Sequence, residues 1–180
     1  KHIENLLDFN IVLDSTSLQD SESMQINDVI LQVISERKLD IKRKKITFNK
    51  NLKNISLISN RKQVAVIIDN ILSNAIKYSP NEGEINISST LLHDQLQLCI
   101  SDQGIGIAEE NQHKIFDAFY QGPPPEASII KGSGLGLTIV KELLLRLNGK
   151  IEVLNEPSNS QGTTIEITLP RAFDKEEQVK

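Results

Sequence analysis

The stretch Gly132-Ser133-Gly134-Leu135-Gly136-Leu137-Thr138-Ile139-Val140 sets three glycines at alternate positions directly before an apolar helical pattern. A backbone that takes positive φ, lacks side chains and opens into a helix presents unpaired N–H groups where the peptide dipoles leave partial positive charge. That combination suits phosphate. By itself, a glycine-rich turn ahead of a helix serves a tight connection as readily as a ligand. Three further groups accompany it. Asn70, Asn74 and Lys77 recur at helical spacing. Asp102-Gln103-Gly104-Ile105-Gly106-Ile107 sets a carboxylate before a glycine turn. Phe116-Asp117-Ala118-Phe119 precedes a segment holding Pro123-Pro124-Pro125. Taken singly, asparagines four apart are solvated or capping residues, and Asp-x-Gly-x-Gly is a turn. Their joint occurrence is the signal.

Elements of the right kind surround these residues. Between Arg61 and Tyr78, Val64, Ile67, Ile68, Ile71, Leu72 and Ala75 fall on one helical face, with Asn70, Asn74 and Lys77 opposite, so a rigid helix carries the polar stripe. Ser79-Pro80-Asn81-Glu82-Gly83 ends it. Ile85 and Ile87, then Leu96, Leu98 and Ile100, alternate with polar residues around His93-Asp94, which predicts an antiparallel hairpin with Asp102 just beyond its second strand. Glu109 to Phe116 has the composition of a short helix, and Phe119 to Lys131 that of a mobile loop. After the glycines, Leu137, Val140, Leu143, Leu144 and Leu147 form an inward stripe closed by Gly149 as a C-terminal cap. Ile151 with Val153, and Ile165, Ile167 and Leu169, make two final strands before a charged, frayed tail.

Upstream, Ile3, Leu6, Leu7, Ile11 and Leu13 fit a helix, either a coiled-coil seam interrupted by Asn10 or a short amphipathic helix packed on its own domain. Ser15 to Gln25 reads as a linker, and Ile26 to about Lys44 as one helix. Ile46-Thr47-Phe48 and Ile55-Ser56-Leu57 predict short strands.

The 180 residues suffice for one core plus an appended helix, and no apolar run is long enough to cross a bilayer as a helix. A net charge of −4 argues against nucleic acid as a partner, so phosphate affinity must be built locally. The basic run Arg37, Lys38, Lys42, Arg43, Lys44, Lys45 reads as a solvated helix terminus. Cys99 is the single cysteine, which excludes an intrachain disulfide and suggests inert packing. His2, His93 and His113 lack ligand spacing. Lys1-His2-Ile3 does not resemble a signal peptide, and without an initiator methionine the chain is expected to be a fragment of a longer protein.

Asn70 to Pro80 resembles the asparagine box of sensor histidine kinases, Asp102 to Ile107 their first glycine box, Phe116 to Phe119 their phenylalanine box, and Gly132 to Leu137 their second glycine box. Gly162-Thr163-Thr164 before the last strand completes the set. The similarity covers roughly residues 26 to 170 in the family's order. It implies the α+β fold shared with gyrase and MutL-type ATPases: a two-layer α/β sandwich whose mixed, mostly antiparallel sheet is covered on one side by three main helices. Residues 1–20 would be the end of a dimerisation helix with its linker, and 21–180 the ATP-binding catalytic domain.

By that resemblance Asp102 would accept a hydrogen bond from the adenine amino group, where guanine offers a carbonyl. Gly104, Gly106 and Ile107 would turn beneath the base. Asn74 would ligate Mg²⁺ through its side-chain carbonyl. Lys77 would touch phosphate, and Tyr78 would lie against base or ribose or simply pack at the helix end. Phe119, Gly132, Ser133, Gly134, Leu135, Gly136, Leu137 and Thr164 would complete the nucleotide site. Asn70 stands where the superfamily's ATPases usually carry glutamate; an amide cannot take a proton from water at neutral pH, which favours phosphoryl transfer over hydrolysis.

The acceptor would be a histidine on the dimerisation domain of the same protein, with a response-regulator receiver domain next in the relay. No acceptor motif stands in this chain. The resemblance implies a cytoplasmic domain of a bacterial inner-membrane protein, homodimeric when intact, with the fragment a monomer. Where the family often has arginine, this chain has the neutral Gln121-Gly122, leaving Lys131 as the lid cation. Two rivals follow: a nucleotide-binding regulatory module of weak activity, suggested by that missing arginine, and a true ATPase of the same fold, opposed by Asn70.

Overall fold

A computed structural model of the chain describes residues 21–122, 133–154 and 162–172. The expected helix near residues 1–14, Lys131, Gly132 and most of the expected lid lie outside these residues.

The chain runs β1 (Ser21–Gln25), α1 (Ile26–Glu36), α2 (Lys38–Lys44), β2 (Thr47–Asn51), β3 (Ser56–Asn60), α3 (Arg61–Tyr78), β4 (Glu84–Leu92), β5 (Gln95–Asp102), two short 3₁₀ turns (Glu109–Asn111 and Lys114–Phe116), α4 (Gly136–Arg146), β6 (Lys150–Leu154) and β7 (Thr163–Pro170). A five-stranded sheet has the order β2-β4-β5-β7-β6, and β1 pairs with β3 in a separate ribbon. Only β2 and β4 are parallel in the larger sheet; its other pairs are antiparallel. The β4–β5 hairpin turns through His93 and Asp94, both at positive φ, the geometry whose twist matches paired strands.

Strand alternation divides the sheet into two faces. Ile85, Ile87, Leu96, Leu98, Ile100, Ile165, Ile167 and Leu169 are buried together with Val29, Ile30 and Val33 of α1, Ile67, Ile68, Ile71 and Leu72 of α3, and Ile139, Val140, Leu143 and Leu144 of α4. The opposite face carries Asn86, Ser88, Gln97, Cys99, Glu166 and Thr168. The expected α+β sandwich, mixed and mostly antiparallel with three main helices over one face, is therefore the fold observed. Within α3, Asn60 caps the N-terminus by accepting a hydrogen bond from Gln63 N at 3.0 Å.

Several expectations need correction. Ser21–Gln25 is a strand, not linker: Met24 alone faces the core, so five residues carry no readable alternation. The helix expected to run to Lys44 breaks at Arg37, whose ψ of 5° leaves the helical region. The helix expected over Glu109 to Phe116 is two separate 3₁₀ turns. Ile139 joins the α4 core stripe, while Leu137 is only partly buried. Cys99 lies on the polar sheet face, its thiol 3.3 Å from Glu166 Oε2; burial and that carboxylate push it up to about 11, which keeps it an unreactive thiol.

The end of α4 is a Schellman turn, but Asn148, not Gly149, takes the left-handed conformation, at φ 55°. Gly149 N donates to Leu144 O at 2.7 Å and Asn148 N to Leu145 O at 3.3 Å. Gly149 is needed for space instead, since a Cβ there would sit 2.6 Å from Thr168 O. The neighbours should respond oppositely in urea unfolding: Asn148→Gly relieves the backbone and is expected to stabilise by about 0.5 kcal/mol, whereas Gly149→Ala should cost about 2 kcal/mol.

Nor is the basic run merely solvated. Arg37 forms a two-pronged ion pair with Asp69 of α3, and the Lys44 ammonium reaches the end of α3. Arg43–Asp40 and Lys45–Glu82 are exposed pairs that contribute little.

Candidate functional site

At the end of β5, Asp102 is in register with Ile85 on one side and Thr163 on the other, and shares the helix-facing side of the sheet with Ile100. Its Oδ1 accepts from Gly104 N at 2.8 Å and Thr163 N at 3.3 Å. Oδ2 receives no hydrogen bond from the described residues and is left as a directional acceptor. Burial pushes the carboxyl up to about 6, against the two backbone donors that pull it down.

Glycines close the site by letting backbones touch. A Cβ on Gly104 would lie 2.7 Å from Tyr78 O, so the first glycine turn is pressed on the last turn of α3. A Cβ on Gly136 would lie 2.8 Å from Asn70 Oδ1, which sets the start of α4 against the middle of α3. Gly134, at φ 71°, abuts the backbone of Phe119 and Tyr120, and Phe119 N donates to Gly134 O at 2.9 Å. The first glycine turn is thus seated on the end of α3 at Tyr78, and the second on Phe119 and on Asn70, the last contact joining residues more than sixty positions apart.

The N-terminus of α4 has no side-chain cap, and Leu135 stands at the cap position with its own side chain buried. Orphan N–H groups of the first turn are open to an anion, and the macrodipole favours one there. Ser133 Oγ accepts from Leu135 N at 3.3 Å, Leu137 packs on the core edge, and Thr138 Oγ1 ties the helix to Phe116 O at 3.1 Å. Lys141 approaches the Phe116 ring at 6.0 Å.

On α3, Asn70 Nδ2 donates to Val66 O at 2.9 Å, so its carbonyl faces Gly136. Asn74 is half-buried, and its side chain has no hydrogen-bond partner among the described residues. Lys77 and Tyr78 meet: the ammonium lies 3.4 Å from the phenol oxygen and 4.9 Å from the ring centroid. Ile107 is half-buried, its carbonyl 3.5 Å from Gln112 Nε2. Phe119 is brought in by its backbone, at φ 66°, with its side chain 70% exposed.

Thr164 is not with the others. Strand alternation turns it to the polar sheet face, where Oγ1 donates to Ser101 Oγ at 2.8 Å. Its neighbour Thr163 supplies the contact to Asp102 instead, through the backbone. Gly162, at φ 131°, lies against the Asp102 carbonyl; the position of both in the Gly-Thr-Thr turn was visible in the sequence, but not which residue would touch the carboxylate.

Comparison with known proteins agrees with this geometry. Residues 59–172 match the family model described as histidine kinase-, DNA gyrase B-, and HSP90-like ATPase. The sensor-like histidine kinase SenX3 of Mycolicibacterium smegmatis is 26% identical over 175 residues, covering 97% of this chain and 45% of the relative. The sensor histidine kinase WalK of Bacillus subtilis is 32% identical over 168 residues, 88% of this chain and 27% of the relative. The chain therefore spans less than half the length of either relative. The solved structure of the mycobacterial sensor histidine kinase MprB superposes with a TM-score of 0.73 at 28% identity, covering 86% of this chain and 99% of that one. Since the family model accounts for well over half of the residues, among them the asparagine helix, both glycine turns and the last strand, the chain belongs to the histidine kinase-, DNA gyrase B- and HSP90-like ATPases.

Proposed function

We propose that this chain is the ATP-binding catalytic domain of a two-component sensor histidine kinase, which delivers the γ-phosphate to a histidine on a dimerisation domain for relay to a response regulator. The observation that carries it is the neutral carboxamide of Asn70, on α3, set against the start of α4, with Asp102 Oδ2 toward the end of α3 and the α4 N-terminus without a side-chain cap. Phosphoryl transfer needs position and charge stabilisation more than covalent help from the protein. Asp102 would orient the adenine, and Lys77 and the α4 N–H groups would face the phosphates. Lys131, Gly132 and Phe119 are proposed to complete the lid side.

A Mg²⁺ ion would be held chiefly by phosphate oxygens. The described residues hold no cluster of three or more His, Cys, Asp or Glu side chains fit for a metal, and the unpartnered amide of Asn74 suits a single hard oxygen ligand. The ion would neutralise phosphate charge when bound.

Among the described residues no helix is long and apolar enough to cross a membrane. Attachment of the parent protein to a membrane, and its dimerisation, belong to the same proposal.

The test is radiolabelled transfer. Incubating the chain with γ-labelled ATP, Mg²⁺ and an isolated dimerisation domain carrying the histidine is expected to label that domain, and Asn70→Ala should reduce labelling by about 100-fold or more. Release of inorganic phosphate with no acceptor present, at a rate matching transfer, would instead identify a hydrolase.

A further inference from the structure

The last four carbonyls of a helix need partners, and α3 ends in a way that denies it the usual ones. Ser79 precedes Pro80, which disfavours the helical conformation for it, and it sits at φ −59°, ψ 146°. A glycine-type terminal turn does not form there. Ser79 N satisfies Ala75 O at 3.0 Å, but Ile76 and Lys77 are left over. Lys44, more than thirty residues earlier, supplies what is missing: its Nζ donates to Ile76 O at 2.8 Å, Lys77 O at 2.9 Å and Ser79 O at 2.6 Å.

Three donors on a tetrahedral ammonium meet three convergent acceptors, with no carboxylate in the set. Desolvation and the neighbouring Arg43 lower the Lys44 pKa from its ordinary value, the expected cost of burying a cation that is paired only with dipoles. The backbone is fixed as well, since Glu82 N donates to Lys44 O at 2.7 Å. The turn so held carries Lys77 and Tyr78, and the next carbonyl, Tyr78 O, is the surface on which Gly104 rests.

We propose that Lys44 is a positioning residue of the nucleotide site: as the external C-terminal cap of α3, it fixes the turn bearing Lys77 and Tyr78 against the Asp102–Gly106 turn. The inference rests on the nucleotide-binding reading above. It assigns a function to a lysine outside every recognised motif. Lys44 acts through the helix end and touches no ligand itself.

The 180-residue chain should be titrated calorimetrically with a non-hydrolysable ATP analogue and Mg²⁺, as the wild type, Lys44→Met and Arg37→Met, at a temperature where circular dichroism shows all three folded. Arg37→Met removes another tie to α3, the ion pair with Asp69, and so controls for stability alone. Both variants should melt below the wild type. Only Lys44→Met should bind more weakly, by roughly tenfold, the scale of losing charge-assisted hydrogen bonds that hold a site. Wild-type affinity in folded Lys44→Met overturns the proposal, and so does an equal loss in Arg37→Met. Absence of binding by the wild type would defeat the nucleotide reading itself, and the role of Lys44 with it. If Lys44→Met does not fold, Lys44→Arg replaces it. The planar guanidinium cannot meet all three carbonyls, so its affinity should still fall below that of Arg37→Met, and equality would overturn the proposal.

Discussion

Asparagine in place of Asp102 is expected to stabilise the ligand-free chain at pH 8 and to leave it nearly unchanged at pH 4. Burial raises this carboxyl from 3.8 in the unfolded chain to about 6 in the fold. The folded state therefore binds more protons than the unfolded state between those values, and stability falls as pH rises through the interval. Below the lower value both states are protonated and nothing is lost; above the upper one the full cost is present, about 2 to 3 kcal/mol. The asparagine carbonyl can keep the hydrogen bonds from Gly104 N and Thr163 N, so the substitution removes the charge without orphaning those donors. Urea unfolding at the two pH values reads the difference directly. Equal effects at both would show that Asp102 ionises in the fold as it does in water.

A destabilising carboxylate has a use. In the proposed function Asp102 Oδ2 would accept from a ligand donor, and asparagine would place an N–H₂ donor at the same point. An adenine amino group would then face a second donor. Adenosine, which has no phosphate to titrate, should bind the wild type more weakly below pH 6 and bind Asp102→Asn weakly at every pH, by roughly tenfold to a hundredfold.

Gly162→Ala should be among the most damaging single substitutions in the chain. Its φ of 131° lies where side chains are strained, and its added Cβ would come 2.2 Å from Asp102 O and 3.2 Å from Asp102 C. Both are backbone atoms at the paired end of β5, with no flexible side chain to yield. Gly106, at φ 76°, in turn rests on Gly162 O, where its own Cβ would be 3.2 Å away. Moving Gly162 therefore shifts the first glycine turn and withdraws Thr163 N from Asp102. The expected cost is about 3 kcal/mol or more, with nucleotide binding lost in whatever remains folded. Gly122→Ala is the matched control: nothing lies within 4 Å of its added Cβ, and the change should stay within about 0.5 kcal/mol. Similar unfolding midpoints for the two variants would contradict the packing described.

The elements legible in the sequence are those with long, regular periodicity. α3 spans Arg61–Tyr78 as its apolar spacing predicts, and the β4–β5 hairpin turns at the two residues between its alternating runs. Asn70, Asp102, Gly104, Gly134 and Gly136 could be named because the asparagine helix and the two glycine turns occur together in one chain, and the fold sets Gly104 beside Asp102 and Tyr78, and Gly136 beside Asn70. What escaped depends on contacts between distant residues. β1 has one inward residue and exists because β3 pairs with it. The pair β2 and β3, adjacent in sequence, part into different sheets. Lys44 looked like one of several terminal cations, and only the path of α2 past Ser79-Pro80 singles it out. Thr163 and Thr164 are chemically identical, so which one reaches Asp102 is settled by strand register.

The central claim, that this site selects an adenine nucleotide through Asp102, is tested most directly by calorimetric titration with non-hydrolysable ATP and GTP analogues in the presence of Mg²⁺. The account predicts that the wild type binds the ATP analogue at least about tenfold more tightly than the GTP analogue, and that Asp102→Asn loses the preference because its amide can donate to the guanine carbonyl. Equal affinities in the wild type, or a preference that survives in Asp102→Asn, would contradict it.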